Sequence, residues 1–263
     1  MKREVRHGVH LLPGLLTTGN LFCGFYAMVA IYRGDLTHAA IAVMVALVLD
    51  FLDGAVARVA NALSDFGREL DSLADVVSFG VAPGLLGYVY GLQSLGRTGW
   101  LTAFLFAVCG AFRLARFNIQ THADKRYFVG LPIPAAAGVM ASYILFLHES
   151  PSLMLFGREL FSPRMITTTV LILMMGVAFL MVSRVRYRSP KEIDFRRRRP
   201  VSMLLTLFLI ILIMAIEPTL ALFASFLGYT LSGLIRQLPF VRRRSGVEAV
   251  DELALRPEKR SAQ

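Results

Sequence analysis

The sequence predicts an all-α, polytopic integral membrane protein with about eight transmembrane helices and both termini in the cytoplasm. Of its 263 residues, 56% are hydrophobic and only 17% are charged, and the mean hydropathy is +0.59. Because a soluble domain of ordinary composition is roughly 25% charged, this chain has more apolar surface than a water-soluble core of its size can bury. The net charge of +10 therefore belongs in loops, and this much apolar sequence argues against a nucleic-acid partner.

Eight apolar runs approach the length of about 20 residues that a spanning helix needs. The basic amphipathic segment 1–14 precedes them, residues 15–235 form the membrane domain, and the basic tail 236–263 is expected to be disordered. Glu217 and Pro218 separate the last two runs, which predicts a tight helical hairpin. The runs cover residues 15–32, 37–60, 71–92, 99–118, 132–148, 165–183, 200–216 and 218–235.

Basic residues are distributed unevenly between the two sides of these predicted helices. With the N-terminus inside, 24 of the 28 lysines and arginines fall on the inner side of the membrane. Cytoplasmic loops of membrane proteins carry this excess of Lys and Arg. The four basic residues on the outer side are Arg33, Arg97, Arg158 and Arg164.

Four aspartates lie where a membrane protein rarely places charge. Asp50 and Asp53 are three residues apart in the second run, and Asp71 and Asp75 are four apart in the third. Each pair lines one helix face, and a short loop makes the two helices antiparallel neighbours, so the pairs can converge. Four carboxylates at one point need cations between them. Oxygen ligands alone favour Mg²⁺ or Mn²⁺, and two such ions can clamp a phosphoryl group.

Small residues and one cation accompany the aspartates. Gly54 and Ala57 lie about one turn beyond the first pair, and Gly67 lies about one turn before Asp71. Because they lack bulk, a large substrate can approach the helix backbone closely there. Arg58 adds a permanent positive charge beside a site that would hold phosphate.

Together these positions form a motif that resembles the signature of the CDP-alcohol phosphatidyltransferases. It reads Asp50-x2-Asp53-Gly54-x2-Ala57-Arg58-x8-Gly67-x3-Asp71-x3-Asp75, with eight matching positions over 26 residues. These membrane enzymes transfer a phosphatidyl group from a CDP-linked lipid to an alcohol and release CMP.

The resemblance implies a role for each position of the motif. Asp50, Asp53 and Asp71 would bind two divalent cations, and Asp75 would lie near a metal and act as the general base. In the first run, Thr18 could bond its own helix or touch the nucleotide, and the resemblance favours a nucleotide contact for Asn20. The residues expected to line the CDP pocket are Asn20, Gly54, Ala57, Arg58 and Gly67.

The flanking segments resemble the membrane-integral phosphatidylserine synthases of bacteria. The segments are LLPGLLTTGNLFCGF, SLADVVSFGVAPG, CGAFRLARFN and FVGLPIPAAAG. This resemblance implies CDP-diacylglycerol and L-serine as substrates, with phosphatidylserine and CMP as products. It also implies a homodimer in the bacterial inner membrane, surrounded by lipid, with the active site facing the cytoplasm.

Serine carries a carboxylate, so its pocket needs a cation in addition to the base. Arg113 and Arg116, three residues apart at the inner end of the fourth run, are the first candidates. Lys125 and Arg126 in the next loop are the second pair. The alternative is that all four are ordinary inner-edge charges that extend to the lipid headgroups.

Two other functions are compatible with parts of the pattern. The same chemistry could use another acceptor, such as glycerol 3-phosphate or inositol phosphate. Buried acidic pairs also occur in cation-coupled transporters, but those favour repeated halves with discontinuous helices. Here all four aspartates fall between residues 50 and 75, without a counterpart in the second half.

Overall fold

The computed structural model describes residues 4–59, 65–119, 127–149, 154–155, 158–159, 162–188 and 217–235. Helices build the fold, which confirms the predicted all-α class. They are α1 (Glu4–Tyr32), α2 (Leu36–Val59), α3 (Asp65–Asp75), α4 (Ala82–Gly87), α5 (Arg97–Ile119), α6 (Ile133–Glu149), α7 (Pro163–Val182) and α8 (Pro218–Ile235). Four short strands lie in the connections: β1 (Tyr127–Val129), β2 (Met154–Leu155), β3 (Arg158–Glu159) and β4 (Arg186–Arg188).

Within the described residues, six helical segments are long and apolar enough to cross a membrane, and α6 is a shorter apolar helix. The predicted run 200–216 and the predicted disordered tail lie outside the described residues. Eight spans and cytoplasmic termini therefore stay predictions. α1 begins at Glu4, so the predicted boundary between residues 14 and 15 falls inside a continuous helix.

A tight turn joins α1 to α2. Gly34 adopts a φ of 80°, where a side chain would be strained, and its N–H donates to the Ile31 carbonyl. Asp35 then caps α2, because its Oδ1 accepts a hydrogen bond from the His38 N–H at 3.1 Å. The two helices pack through small buried residues, including Ala27 and Ala39, and such residues let helix backbones approach closely in membranes.

The third span is one helical segment with three kinds of turn. α3 continues into π-helical turns at Val76–Val81, then α4, further π-helical turns at Tyr88–Leu92 and a 3₁₀ turn at Gln93–Leu95. Its glycines allow close packing on α5 and α7. A Cβ at Gly84 would lie 3.0 Å from the Ala103 carbonyl oxygen, and one at Gly87 would lie 2.3 Å from Met174 Cε. This segment therefore lies in the middle of the bundle.

α6 is almost entirely buried, with Ile133, Met140 and Ile144 fully inaccessible. It packs against α2, α7 and α8. At its C-terminal end, the Thr219 hydroxyl at the start of α8 donates to Glu149 Oε2 at 2.9 Å. At the other end of α8, the Tyr187 hydroxyl donates to the Thr230 carbonyl at 3.2 Å. These two hydrogen bonds hold α8 along the bundle.

A two-stranded antiparallel ribbon closes the end of the bundle where α6 begins. β1 pairs with β4, and Phe128 lies opposite Tyr187. Next to the ribbon, the Gly130 N–H donates to the Val185 carbonyl at 2.8 Å, and the Leu131 N–H donates to the Leu180 carbonyl at 3.0 Å. The chain that enters α6 is thus hydrogen-bonded to the chain that leaves α7.

Candidate active site

The second half of α2 presents Asp50 and Asp53 toward neighbouring helices. Asp53 is buried, with 6% of its surface exposed, and its Oδ2 accepts a hydrogen bond from the Thr17 hydroxyl of α1. Thr17 is itself only 3% exposed. Because α1 and α2 are antiparallel and share a short turn, a residue near the middle of α1 meets one in the second half of α2.

The first turns of the third span supply the other two aspartates. Asp75 is buried, and its Oδ1 accepts a hydrogen bond from Asn20 Nδ2 at 3.1 Å. Asp71 is half-buried one turn earlier. α1 therefore contacts both acidic pairs, because Thr17 bonds to Asp53 and Asn20 bonds to Asp75.

Three of the four carboxylates form a compact cluster. Asp50, Asp71 and Asp75 each offer an oxygen, and these atoms all lie within 4.8 Å of one another. Asp53 is not part of this group of three, although it lies one turn along α2 from Asp50. The predicted convergence of the two pairs is confirmed for these three residues.

α1 and the π-helical turns after Asp75 are locked together at the level of the cluster. The Ser78 hydroxyl donates to the Asn20 carbonyl at 2.9 Å. Gly24, one turn along α1, makes this approach possible, since a Cβ there would lie 2.3 Å from Ser78 Oγ. The backbone around Asn20 is therefore held close to Asp75.

The cluster has an unsatisfied acceptor beside it. Asn20 is fully buried, and within the described part of the chain its Oδ1 has no hydrogen-bond donor. A buried acceptor without a donor is costly, and three carboxylates within 4.8 Å repel one another. Bound cations offset that repulsion, and water or substrate at the same place can satisfy Asn20. Hard carboxylate oxygens are the ligands that Mg²⁺ and Mn²⁺ prefer, so the residues present fit a divalent metal.

α5 contributes a positive charge that interacts with the cluster. Arg113 is 8% exposed and interacts electrostatically with Asp75 and with Tyr229 of α8. Its guanidinium carbon lies 5.6 Å from the centroid of the Phe117 ring. A buried guanidinium next to carboxylates is suited to binding an anionic group.

Arg116 lies one turn further along α5 but has different partners. Its Nη2 donates to the Val129 carbonyl at 2.8 Å and to the Met181 carbonyl at 3.4 Å. Its Nη1 donates to the Val182 carbonyl at 3.1 Å. The guanidinium therefore ties the end of α7 to the strand before α6.

Comparison with known proteins agrees with this arrangement. Residues 10–182 match the family described as CDP-alcohol phosphatidyltransferase. The chain belongs to this family.

Similar proteins of this family carry serine-related names. A Helicobacter pylori protein named CDP-diacylglycerol–serine O-phosphatidyltransferase is 38% identical over 88% of this chain and 92% of its own length. A Bacillus subtilis protein of the same name is 36% identical over 70% of this chain and 93% of its own length. An archaetidylserine synthase from Methanothermobacter thermautotrophicus is 40% identical over 51% of this chain and 58% of its own length.

The remaining signature positions of the phosphatidyltransferase family lie on the same helices. Gly54 and Ala57 follow the first two aspartates on α2, where Ala57 is buried and Gly54 half-buried, and Gly67 is half-buried on α3. The side chain of Arg58 lies outside the described part of the structure, as do both residues of the second predicted serine-binding pair, Lys125 and Arg126.

Two site residues escaped the sequence reasoning, Thr17 and Ser78. Helical periodicity offered a signal for Thr17, because it shares one face of α1 with Asn20 and Gly24 at three-residue and seven-residue spacings. For Thr18 the sequence allowed a bond within its own helix or a nucleotide contact, and its hydroxyl donates to the Gly14 carbonyl of its own helix at 2.7 Å. No local pattern distinguishes Ser78, because its partner is a backbone carbonyl of α1.

Proposed function

We propose that this phosphatidyltransferase uses CDP-diacylglycerol and L-serine and produces phosphatidylserine and CMP. One structural observation supports the proposal above all: Asp75 is buried between the Asn20 amide, the two neighbouring carboxylates and the Arg113 charge. A base and a cation that interact electrostatically suit an alcohol that carries its own carboxylate. The names of the Helicobacter and Bacillus relatives support serine as that alcohol.

In the proposed reaction Asp75 is the general base. It accepts the proton of the serine hydroxyl while the serine oxygen forms a bond to the phosphorus that carries diacylglycerol. The bond between that phosphorus and the CMP oxygen breaks, and CMP leaves with the electron pair. A positioned base contributes about 10²–10⁴-fold to such a step.

The other side chains bind and orient the reactants. The Asn20 amide holds the Asp75 carboxylate through the bond from Nδ2. Arg113 binds the serine carboxylate, and Lys125 and Arg126 are the second pair proposed for the same role.

The CDP group lies along Gly54, Ala57 and Gly67, with Arg58 beside its phosphates. Arg116 was also proposed to bind serine, but its donors contact three backbone carbonyls, so we assign the first contact to Arg113.

Two divalent ions, Mg²⁺ or Mn²⁺, would be held by Asp50, Asp53, Asp71 and Asp75. When bound, such ions neutralise the diphosphate and stabilise the charge that develops on the phosphoryl group.

In the proposed reaction serine attacks the phosphorus directly, and no covalent phosphatidyl-enzyme forms. Exchange of labelled CMP into CDP-diacylglycerol in the absence of serine would contradict direct attack.

The deciding experiment is an acceptor panel with the purified full-length protein in mixed micelles. CMP release from CDP-diacylglycerol is measured with L-serine, glycerol 3-phosphate or inositol phosphate, and the lipid product is identified by mass spectrometry. We expect serine alone to give rapid release, and chelation by EDTA to abolish it until Mn²⁺ or Mg²⁺ is restored. Release with glycerol 3-phosphate but not with serine would overturn the acceptor while leaving the phosphatidyl transfer in place.

We further propose that the enzyme is an inner-membrane homodimer whose site faces the cytoplasm. The site lies at the bundle end that contains Arg113, Arg116 and the arginine-containing strand β4, and 24 of the 28 basic residues fall on that side of the predicted spans. Reporter fusions after Gln263 and within the turn at Gly34 test the orientation, since only the former should report a cytoplasmic position. Native mass spectrometry of the detergent-solubilised protein tests the dimer.

A further inference from the structure

Two adjacent threonines of α1 have contrasting partners. Thr17 is buried, and its hydroxyl donates to Asp53 Oδ2 on α2. Thr18 is exposed, and its hydroxyl donates to the Gly14 carbonyl within α1. The two side chains are chemically identical, so the difference comes only from the helix face that each occupies.

The bond from Thr17 constrains the one aspartate that lies outside the compact cluster. Asp50, Asp71 and Asp75 approach one another within 4.8 Å, whereas Asp53 is tied to α1. A hydrogen bond to a carboxylate fixes the rotation of its side chain and leaves the other oxygen directed elsewhere. Groups that orient metal-binding carboxylates in this way typically change metal affinity about 10–100-fold when they are removed.

We infer that Thr17 is a positioning residue that orients Asp53 for binding a divalent cation. The inference rests on the proposed metal role of Asp53 and adds a residue outside the family signature. Its hydroxyl is the necessary group, because the hydroxyl is what contacts Asp53. A side chain of the same shape without a donor should leave Asp53 free to rotate and weaken cation binding.

The test compares matched variants of the full-length protein in detergent. Thr17→Val keeps the shape and removes the donor, Thr17→Ser keeps the donor, and Thr18→Val makes the same change one residue away. Thermal unfolding is followed during titration with Mn²⁺, which gives the Mn²⁺ concentration at half-maximal stabilisation independently of catalysis. We expect this concentration to rise about tenfold or more for Thr17→Val and to stay within about twofold for the other two variants.

Activity titrations with Mn²⁺ should show the same order of variants. An unchanged half-maximal Mn²⁺ concentration for Thr17→Val would overturn the inference, even if the metal-free Tm were lower, because a purely structural role predicts that result. If Thr17→Val does not fold, Thr17→Ala replaces it, with the same expected rise and the same contrary outcome.

Asp53→Asn separates this inference from the proposed function. If Asp53→Asn weakens stabilisation by Mn²⁺ and the Thr17 variants do not, the metal site stands and the role of Thr17 is wrong. If Mn²⁺ stabilises Asp53→Asn as strongly as the unaltered protein, the metal role of Asp53 itself is wrong.

Discussion

Residues three apart lie on the same side of the site on α2 but have unrelated partners on α5. Asp50 and Asp53 both belong to the acidic side of the site, which we define as Asp50, Asp53, Asp71, Asp75 and Asn20. Arg113 and Arg116 form the basic side. Arg113 interacts with Asp75, whereas Arg116 bonds to carbonyls at the end of α7 and in β1. Equal spacing on a helix therefore determines a shared face but not a shared function, because the neighbouring elements supply the partners.

A conservative substitution on the acidic side should reduce CMP release more than one on the basic side. Asp75→Asn removes the proposed base with little change in shape, and we expect CMP release to fall about 10²–10⁴-fold. Asp65→Asn on the same helix is the matched control, since Asp65 is exposed and pairs with Arg68 at 3.3 Å. Equal activity of the two variants would contradict the role of Asp75.

On the basic side, the two arginines should produce different defects. Arg113→Gln should raise the KM for serine about tenfold or more, because a hydrogen bond to a charged group is worth about 1.5–3 kcal/mol. Arg116→Gln should instead lower the Tm by several degrees and leave that KM within about twofold. Serine kinetics and thermal unfolding of both variants measure this contrast. A larger increase in KM for Arg116→Gln would reverse our assignment.

A substitution at Gly130 tests whether the close packing next to the β1–β4 ribbon stabilises the region around Arg116. Its φ is 86°, and an added Cβ would lie 2.3 Å from the Met181 carbonyl oxygen and 2.7 Å from Arg116 Nη2. Gly130→Ala should therefore cost about 1–3 kcal/mol for the backbone conformation, in addition to the clash. Gly34→Ala is the control, because Gly34 has a similar φ of 80° with open space around it. Chemical or thermal unfolding should show the larger loss for Gly130→Ala.

Substitution of Tyr187 should change the thermal stability least among these variants, and the change should depend on pH in a specific way. Burial, with a smaller contribution from Tyr229, raises the pKa of the Tyr187 phenol to about 12. A raised pKa means that the folded state favours the neutral phenol, so its contribution to stability is complete below about pH 10 and is lost as the pH rises toward 12.

Tyr187→Phe should lower the Tm slightly at neutral pH, because the bond to the Thr230 carbonyl is worth about 1 kcal/mol. The variant should also lose less stability than the unaltered protein between about pH 10 and 12. Thermal unfolding across this range measures both effects. Parallel pH profiles for the two proteins would contradict the assignment to Tyr187.

Much of the helical layout followed from apolar length. Seven of the eight predicted runs coincide with described helical segments, and Glu217 and Pro218 mark the start of α8 as expected. The β1–β4 ribbon was not predicted, because its strands lie at residues 127–129 and 186–188. Strand pairing between such distant segments has no local signal in a sequence of this kind. The π-helical turns after Asp75 were also missed, since they depend on packing against α1 and α5.

In the candidate site, too, some features could be predicted from the sequence and others could not. The spacing of Asp50, Asp71 and Asp75 predicted their convergence, because helix periodicity and a short connection suffice to bring antiparallel faces together. Periodicity places Thr17 on the same face of α1 as Asn20, but it could not identify Asp53 as the partner of Thr17 or assign different partners to Arg113 and Arg116. Those partners depend on how each helix is rotated about its own axis relative to the helices it packs against.

The sequence by itself determined a basic, apolar, helical chain with four aspartates in the membrane region, because hydrophobic length and charge spacing are local properties. Tertiary structure decided which polar groups form hydrogen bonds with those aspartates. Asn20 reaches Asp75 across 55 positions of the chain, and Thr17 reaches Asp53 across 36. A hydrogen bond depends on the distance and direction between atoms, and only the packed helices specify both.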